Sequence, residues 1–167
     1  MLKIESDRLL LYPIGDMEMK GIIENEKDPD LKKAYSEMLQ GCIREPENRI
    51  WYAIWHMEMK NQSGVVVGEL SFKGIHQDGM VEIGYGIREG YGGIGYMTEA
   101  IKAISEWALS QKDVTRIEAE TDPDNKASQR VLFSAGYLPT GNLGEEGPRF
   151  VLRQSETESR DIIDEII

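Results

Sequence analysis

Cysteine and histidine, the residues that most often form disulfides or hold metals, are almost absent from this chain. The sequence has one cysteine, Cys42, and two histidines, His56 and His76, which are far apart. A single cysteine excludes an internal disulfide and a thiolate metal cluster. We therefore expect no metal site, and any chemistry has to come from other residue types.

Long hydrophobic runs are also missing. No apolar stretch approaches the roughly 18 residues that a membrane helix needs. The first residues, Met1-Leu2-Lys3-Ile4-Glu5, lack the apolar core of a signal peptide. We therefore expect no membrane partner and a cytoplasmic location.

Positive charge is scarce, because 19 Lys and Arg residues stand against 30 Asp and Glu residues, for a formal net charge of -11. Nucleic-acid binding needs cations that neutralise the phosphate backbone, so nucleic acid is not an expected partner. An acidic surface suits a cationic substrate such as an amine. Solvation alone explains the acidity equally well.

The composition, with 40% hydrophobic and 29% charged residues, is that of a globular protein. The length predicts one domain, which we place at residues 1–154. An acidic tail follows at 155–167, with Ile162, Ile163, Ile166 and Ile167 at helical spacing. Two interpretations of the tail stay open: a frayed terminus, or a short amphipathic helix that docks on this subunit or on a second copy in a homodimer.

Strand and helix patterns follow a definite order along the chain. The predicted strands are 8–12, 50–57, 65–72, 80–87, 114–121, 137–140 and 148–152. Helices are predicted over 16–27 and 29–44, from the glycine-rich segment to about residue 111, and from Asn125. Three antiparallel strands followed by strand–helix–strand predict a three-layer α/β/α sandwich with a mixed, mainly antiparallel twisted sheet.

The most informative segment is a glycine cluster between a predicted strand and a predicted helix, Gly90-Tyr91-Gly92-Gly93-Ile94-Gly95-Tyr96-Met97. The first N–H groups of a helix have no intrahelical partner and bind anions such as pyrophosphate, and glycine permits close approach. A P-loop is excluded because no Lys-Ser or Lys-Thr ends the run. The glycine spacing also fails the dinucleotide fingerprint. A tight turn without a ligand is the remaining alternative.

A second segment, Asp124 to Tyr137, begins with Asp-Asn, continues through Ser128 and ends in Gly-Tyr. Together the two segments resemble the acetyl-CoA site of the GNAT N-acetyltransferase superfamily. They are most similar to the branch that acetylates ribosomal-protein N-terminal alanines, whose loop runs Y-W-G-x-G-Y-A-T-E-A. The start Glu5-Ser6-Asp7-Arg8-Leu9 is also similar to that branch's T-E-R-L. The resemblance spans residues 5 to 153.

The resemblance implies acetyl-CoA as a cosubstrate. The residues expected to contact it are Tyr85, Gly86, Ile87, Arg88, Gly90, Tyr91, Gly92, Gly93, Ile94, Gly95, Tyr96, Met97, Asn125 and Ser128. In the family, backbone N–H groups of the strand before the loop polarise the thioester carbonyl. The sequence departs from the family at Gly90, where a Gln or Arg is usual, and at Leu132, where many members have a Tyr that protonates the departing thiolate.

Two residues are predicted to take part in catalysis. Glu82 lies on the strand that carries Gly84 and Gly86 and is the candidate general base, with a structural ion pair as the alternative interpretation. Ser128 is the candidate proton donor in place of the missing Tyr. Asn125, one helical turn before Ser128, is expected both to cap the helix and to contact the cofactor.

The sequence thus predicts an acetyl-CoA-dependent N-acetyltransferase that moves an acetyl group directly to a primary amine in a ternary complex. A peptide or protein N-terminus is the first candidate acceptor. Polyamines or aminoglycosides are the alternative acceptors. A non-catalytic module that only binds acyl-CoA is the alternative from another class, because of Gly90 and Leu132.

Overall fold

An eight-stranded sheet forms the centre of the protein. A computed structural model describes residues 1–154. In chain order its strands are β1 (Ile4–Glu5), β2 (Leu9–Pro13), β3 (Ile54–Met59), β4 (Val66–Ile75), β5 (Met80–Ile87), β6 (Arg116–Glu120), β7 (Leu138–Leu143) and β8 (Pro148–Arg153). The helices are α1 (Asp16–Asn25), α2 (Pro29–Arg44), α3 (Tyr96–Leu109) and α4 (Lys126–Ser134), and a 3-10 segment spans Pro46–Trp51.

The strands lie side by side in the order β1-β2-β3-β4-β5-β6-β8-β7. The β5–β6 pair is parallel, and the other neighbouring pairs within residues 1–154 are antiparallel. The predicted mixed, mainly antiparallel sheet is therefore confirmed. No helix in this part of the chain is both long and apolar enough to cross a bilayer.

Two hydrophobic cores lie on opposite faces of the sheet. Side chains alternate along a strand, so Trp55 packs in the larger core with α3, and its neighbour Ile54 packs in the smaller core with α1 and α2. One stripe of α3 is buried, at Met97, Ile101, Ile104 and Ala108. These two cores give the three layers of the predicted sandwich.

Two local predictions differ from the structure. The strand predicted to begin at residue 50 begins at Ile54, because a 3-10 segment that starts at Pro46 runs to Trp51. Apolar residues in a short run do not distinguish such a turn from a strand. The two-residue strand β1 was not predicted. The helix predicted within 155–167 lies outside the described residues, so it and the homodimer built on it stay predictions.

Beyond Glu82, strand β5 is paired along one edge only. It pairs with β4 as far as Ile87, which lies opposite Gly68. Its pairing with β6 covers only Met80 to Glu82. From Ile83 onward the second edge of β5 has therefore separated from β6. This open edge positions the candidate site.

Candidate active site

Two cavities meet at the carboxyl end of β5. The first, of about 680 Å³, lies between α2 and the sheet. The second, of about 480 Å³, lies between the open edge of β5, the glycine-rich loop and α4. Tyr85 and Gly86 line both cavities. A group bound in one cavity can therefore meet a group bound in the other at these two residues.

The open edge of β5 presents backbone groups to the second cavity. The N–H of Arg88 donates to the carbonyl of Val67 on β4, with a nitrogen–oxygen distance of 2.8 Å. Backbone groups alternate in direction along a strand, so the N–H groups of Tyr85 and Ile87 point away from β4, toward the open edge. These donors can polarise a carbonyl or pair with an extended ligand.

The loop before α3 is shaped by glycines with positive φ. Gly93 has φ of 78° and Gly95, which is the N-cap of α3, has φ of 86°. Residues with a Cβ rarely adopt these angles. A Cβ built on Gly93 would meet no other atom within 4 Å, because the residue borders open space in the cavity. The loop thus brings backbone and the start of α3 to the cavity wall.

Glu99 on α3 links this loop, through hydrogen bonds, to the segment between β1 and β2. Its carboxylate accepts hydrogen bonds from the hydroxyl of Ser6 and from the backbone N–H of Arg8. The guanidinium of Arg8 donates to Glu99 at 2.8 Å and to the carbonyl of Ile94 at 3.1 Å. The same guanidinium lies over the ring of Tyr96 at 4.3 Å. The two family-like motifs, Ser6–Arg8 and Tyr96–Glu99, are therefore in direct contact.

Helix α4 forms the opposite wall of the second cavity. The side chain of Asn125 accepts a hydrogen bond from the N–H of Ser128 at 3.0 Å, so the predicted cap is confirmed. Besides Asn125 and Ser128, four residues of α4 line this cavity that were not predicted from the sequence. They are Ala127, Arg130, Val131 and Ser134. Their i, i+3, i+4, i+7 spacing is the signal that could have identified them. Arg130 brings a positive charge to this wall.

The hydroxyl groups of Tyr85 and Ser128 form a hydrogen bond of 2.7 Å between β5 and α4. The Tyr85 hydroxyl also donates to the Ser128 carbonyl at 3.2 Å. Burial raises the pKa of Tyr85, and the bond to Ser128 offsets part of that rise. Tyr85 is thus protonated at neutral pH, with its hydroxyl in direct contact with that of Ser128.

Most of the predicted cofactor contacts lie around the second cavity: Tyr85, Gly86, Ile87, Tyr91, Gly92, Gly93, Gly95, Tyr96, Met97, Asn125 and Ser128. Arg88, Gly90 and Ile94 are not among its lining residues. Arg88 pairs instead with Glu69 on β4 at 3.1 Å. Leu132, at the position of the family Tyr, is fully buried in the core and cannot donate a proton.

Glu82, the predicted base, lies among cations. Its carboxylate is 2.8 Å from Nζ of Lys73 and 2.7 Å from Nη1 of Arg149. Burial alone would raise the pKa of Glu82, but hydrogen bonds from Lys73 and Arg149 hold it below its ordinary value. Glu82 lies on the face of β5 that carries Gly84 and Gly86, yet it is not among the residues that line either cavity.

The first cavity has mainly apolar walls with a few charged groups. Its apolar and aromatic residues come from α2, from strands β3, β4 and β5, and from Tyr52, and its charged residues are Glu37, Glu69 and Lys73. Within residues 1–154, no three His, Cys, Asp or Glu side chains come together in a group that could hold a metal ion.

The comparison with protein families agrees with this geometry. The family model of the acetyltransferase (GNAT) domain matches residues 5–138. The chain belongs to the GNAT acetyltransferase family. This confirms the resemblance that the glycine-rich loop and the Asn125 segment had indicated.

Individual curated relatives share limited sequence identity with this chain. The uncharacterised N-acetyltransferase YjdG of Bacillus subtilis is 35% identical over 81 residues, which cover 48% of this chain and 48% of YjdG. This chain spans about half the length, or less, of the first curated relatives that it matches.

Solved structures share the fold over nearly the whole chain. A ribosomal L7/L12 α-N-protein acetyltransferase, RimL, in complex with coenzyme A is 17% identical with a TM-score of 0.70, over 91% of this chain and 98% of that one. The ribosomal-protein-S5-alanine acetyltransferase of Vibrio fischeri is 16% identical with a TM-score of 0.68, over 90% of this chain and 94% of that one. At these identities the likeness concerns the fold.

We expect Gly93→Leu to weaken acetyl-CoA binding by more than tenfold, about 1.4 kcal/mol, because the new side chain would project into the second cavity. Gly64→Leu is the matched control. Gly64 also has positive φ, 84°, and open space around it, but it lies in the turn between β3 and β4. Both variants carry the same kind of backbone strain, so calorimetric titration separates strain from obstruction. Equal acetyl-CoA affinities in the two variants would place the pyrophosphate elsewhere.

Proposed function

We propose that this protein is an acetyl-CoA-dependent N-acetyltransferase that transfers the acetyl group directly to a primary amine. The observation that carries the proposal is the meeting of two cavities at Tyr85 and Gly86, beside an open strand edge. One cavity suits the cosubstrate and the other suits the acceptor. Direct transfer needs both substrates to be bound together, and this arrangement allows it.

The second cavity has the features that acetyl-CoA requires. The loop and the N-terminus of α3 offer backbone donors for a pyrophosphate, and Arg130 adds a cation. The open edge of β5 offers the N–H groups of Tyr85 and Ile87 to a thioester carbonyl. The structural neighbour RimL is described as a complex with coenzyme A, which supports the same use of the fold here.

The reaction moves one acyl group and one proton. The amine nitrogen forms a bond to the acetyl carbon, the carbon–sulfur bond breaks, the amine gives up a proton and the thiolate takes one. Ser128, hydrogen bonded to Tyr85, is the proposed donor to the thiolate. Glu82 is the proposed acceptor of the amine proton, through water, and its lowered pKa keeps it ionised at neutral pH.

A peptide or protein N-terminus is the proposed acceptor. Neighbours with this fold include acetyltransferases described as acting on ribosomal proteins. The first cavity opens beside exposed residues of α2, so a peptide could continue outward from it. A small-molecule amine is the alternative that the cavity volume also allows.

A thiol-release assay with a panel of amines tests the activity. With acetyl-CoA as donor, we expect coenzyme A release with N-terminal peptides, and mass spectrometry should show one added acetyl group at the N-terminus. Turnover confined to polyamines or aminoglycosides would remove the N-terminal acceptor. Tight acetyl-CoA binding with no turnover on any amine would favour the non-catalytic module instead.

We expect Ser128→Ala to lower turnover by about 10²-fold, in the range of general acid catalysis, while acetyl-CoA affinity changes little. Tyr85→Phe should also lower turnover, because it removes the group that is hydrogen bonded to Ser128. Residues that act as one unit are non-additive. The double variant should therefore be no slower than the slower single variant. Losses that multiply, or a Ser128→Ala enzyme as fast as the parent, would contradict a shared proton path.

If Glu82 is the base, Glu82→Gln should lower turnover near neutral pH by about 10²- to 10⁴-fold, with partial recovery at higher pH as more free amine forms. Glu118→Gln is the control, because Glu118 also pairs with Arg149 but lies on β6. The control tests whether disturbing the ion pairs is enough to lower the rate. Equal losses in the two variants would assign Glu82 to the structure of the sheet.

A further inference from the structure

The first cavity has a carboxylate, Glu69, close to the place where the two cavities meet. Glu69 lies on β4 directly opposite Gly86 of β5. It lines the first cavity, and Gly86 lines both. Opposite residues on neighbouring strands have their Cβ positions about 5 Å apart. Gly86 has no side chain, and the space that a Cβ would occupy is open. Position 86 therefore does not shield Glu69 from the place where the cavities meet.

The Glu69 carboxylate retains capacity for a further hydrogen bond. One oxygen accepts from Arg88 at 3.1 Å, and the other accepts a long bond from the Tyr35 hydroxyl at 3.4 Å. A carboxylate has about four acceptor positions. The Glu69 side chain is 27% exposed, so it is neither fully desolvated nor free in solution. A cationic donor that enters the cavity can bind to it.

The apolar wall of the cavity comes from one side of α2. Leu31, Ala34, Tyr35 and Met38 follow the i, i+3, i+4, i+7 spacing of a helix face and all line the cavity. Leu31 and Ala34 are exposed, and Tyr35 and Met38 are half-buried against the smaller core, so this face is only partly covered by the rest of the protein. Burial of a ligand's apolar atoms against this face would contribute favourable free energy to binding.

The cation that the cavity already contains is engaged elsewhere. Lys73 lines the cavity, and its ammonium lies 2.8 Å from Glu82. Glu69 is likewise paired with Arg88, so the exposed Glu37 leaves the cavity and these pairs with a net negative charge. Such a cavity favours a ligand with one positive group joined to an apolar group.

We propose that Glu69 binds the ammonium group of the acceptor and that the exposed face of α2 binds an apolar group attached to it. This inference rests on the proposed function and names its acceptor class, a primary amine next to an apolar side chain or alkyl chain. A polyamine would place a second charge against the apolar wall, where desolvation opposes it. Binding at Glu69 holds the amine beside Gly86, where the two cavities meet.

The test uses hexylamine, which is protonated at neutral pH, with 1-hexanol as its neutral counterpart of similar shape. Calorimetry or chemical-shift titration gives the affinity of each for the intact protein. We expect hexylammonium to bind at least about fivefold tighter than hexanol, in keeping with a charge-assisted hydrogen bond. Methylammonium should bind at least about tenfold more weakly than hexylammonium, because it lacks the apolar chain. Equal affinities for the amine and the alcohol would overturn the proposal without any variant.

Substitution then locates the binding group. Glu69→Gln should weaken hexylammonium about fivefold or more and leave hexanol unchanged. Glu69→Asp keeps the charge and should stay closer to the parent. Glu24→Gln is the matched control, since it removes the same charge from an exposed position on α1 outside both cavities. Unchanged hexylammonium binding in Glu69→Gln, or an equal loss for hexanol, would overturn the role of Glu69.

The failure of this proposal can be told apart from the failure of the proposed function. Hexylammonium binding needs neither acetyl-CoA nor turnover, so its dependence on Glu69 is measured even if no amine is acetylated. Conversely, an enzyme that acetylates amines while Glu69→Gln leaves both hexylammonium affinity and the acceptor KM unchanged would keep the function and lose Glu69. In an active enzyme we expect Glu69→Gln to raise the acceptor KM and to leave the acetyl-CoA KM near its parental value.

Discussion

Arg149 of β8 bridges the carboxylates at the point where β5 separates from β6. The two strands are paired as far as Glu82, which lies opposite Glu118. Two carboxylates at adjacent positions repel each other, and Glu120 follows on the same face of β6. Arg149 of β8 lies among all three, within 2.7 to 3.2 Å of each. Its positive charge therefore offsets part of the repulsion where the strands begin to diverge, and beyond that point β6 no longer pairs with this edge of β5.

The glycine-rich loop that lines the second cavity is held in place by hydrogen bonds to the N-terminal segment of the chain. The glycines allow the loop to turn and to approach a ligand closely, but glycines alone would leave it mobile. Glu99 limits this mobility, because its carboxylate accepts hydrogen bonds from Ser6 and Arg8, which lie more than ninety residues earlier in the chain. The sequence motifs at the two ends of this contact are thus explained by one cluster of hydrogen bonds rather than by two separate functions.

Local features of the sequence predicted local features of the structure. The helices, most strands and the Asn125 cap follow from periodicity and capping chemistry, and most residues that line the second cavity were named from the resemblance to the GNAT family. The role of position 82 was harder to predict, because its partner Arg149 lies far along the chain and is brought near only by the order β5-β6-β8. Glu69 carried no signal at all, since its cavity exists only once α2 has packed beside the sheet.

Glu69 and Glu82 lie on the same face of the sheet, but their surroundings suit them to different tasks. Glu82 is held at close range by two cations, so its negative charge is largely compensated before any ligand arrives. Such a carboxylate attracts an ammonium weakly and accepts a proton with less driving force than a free one. Glu69 has one charged partner and one long hydrogen bond. Attraction of the amine, which Glu69 can provide, is therefore separate from removal of its proton, which at Glu82 has to pass through water.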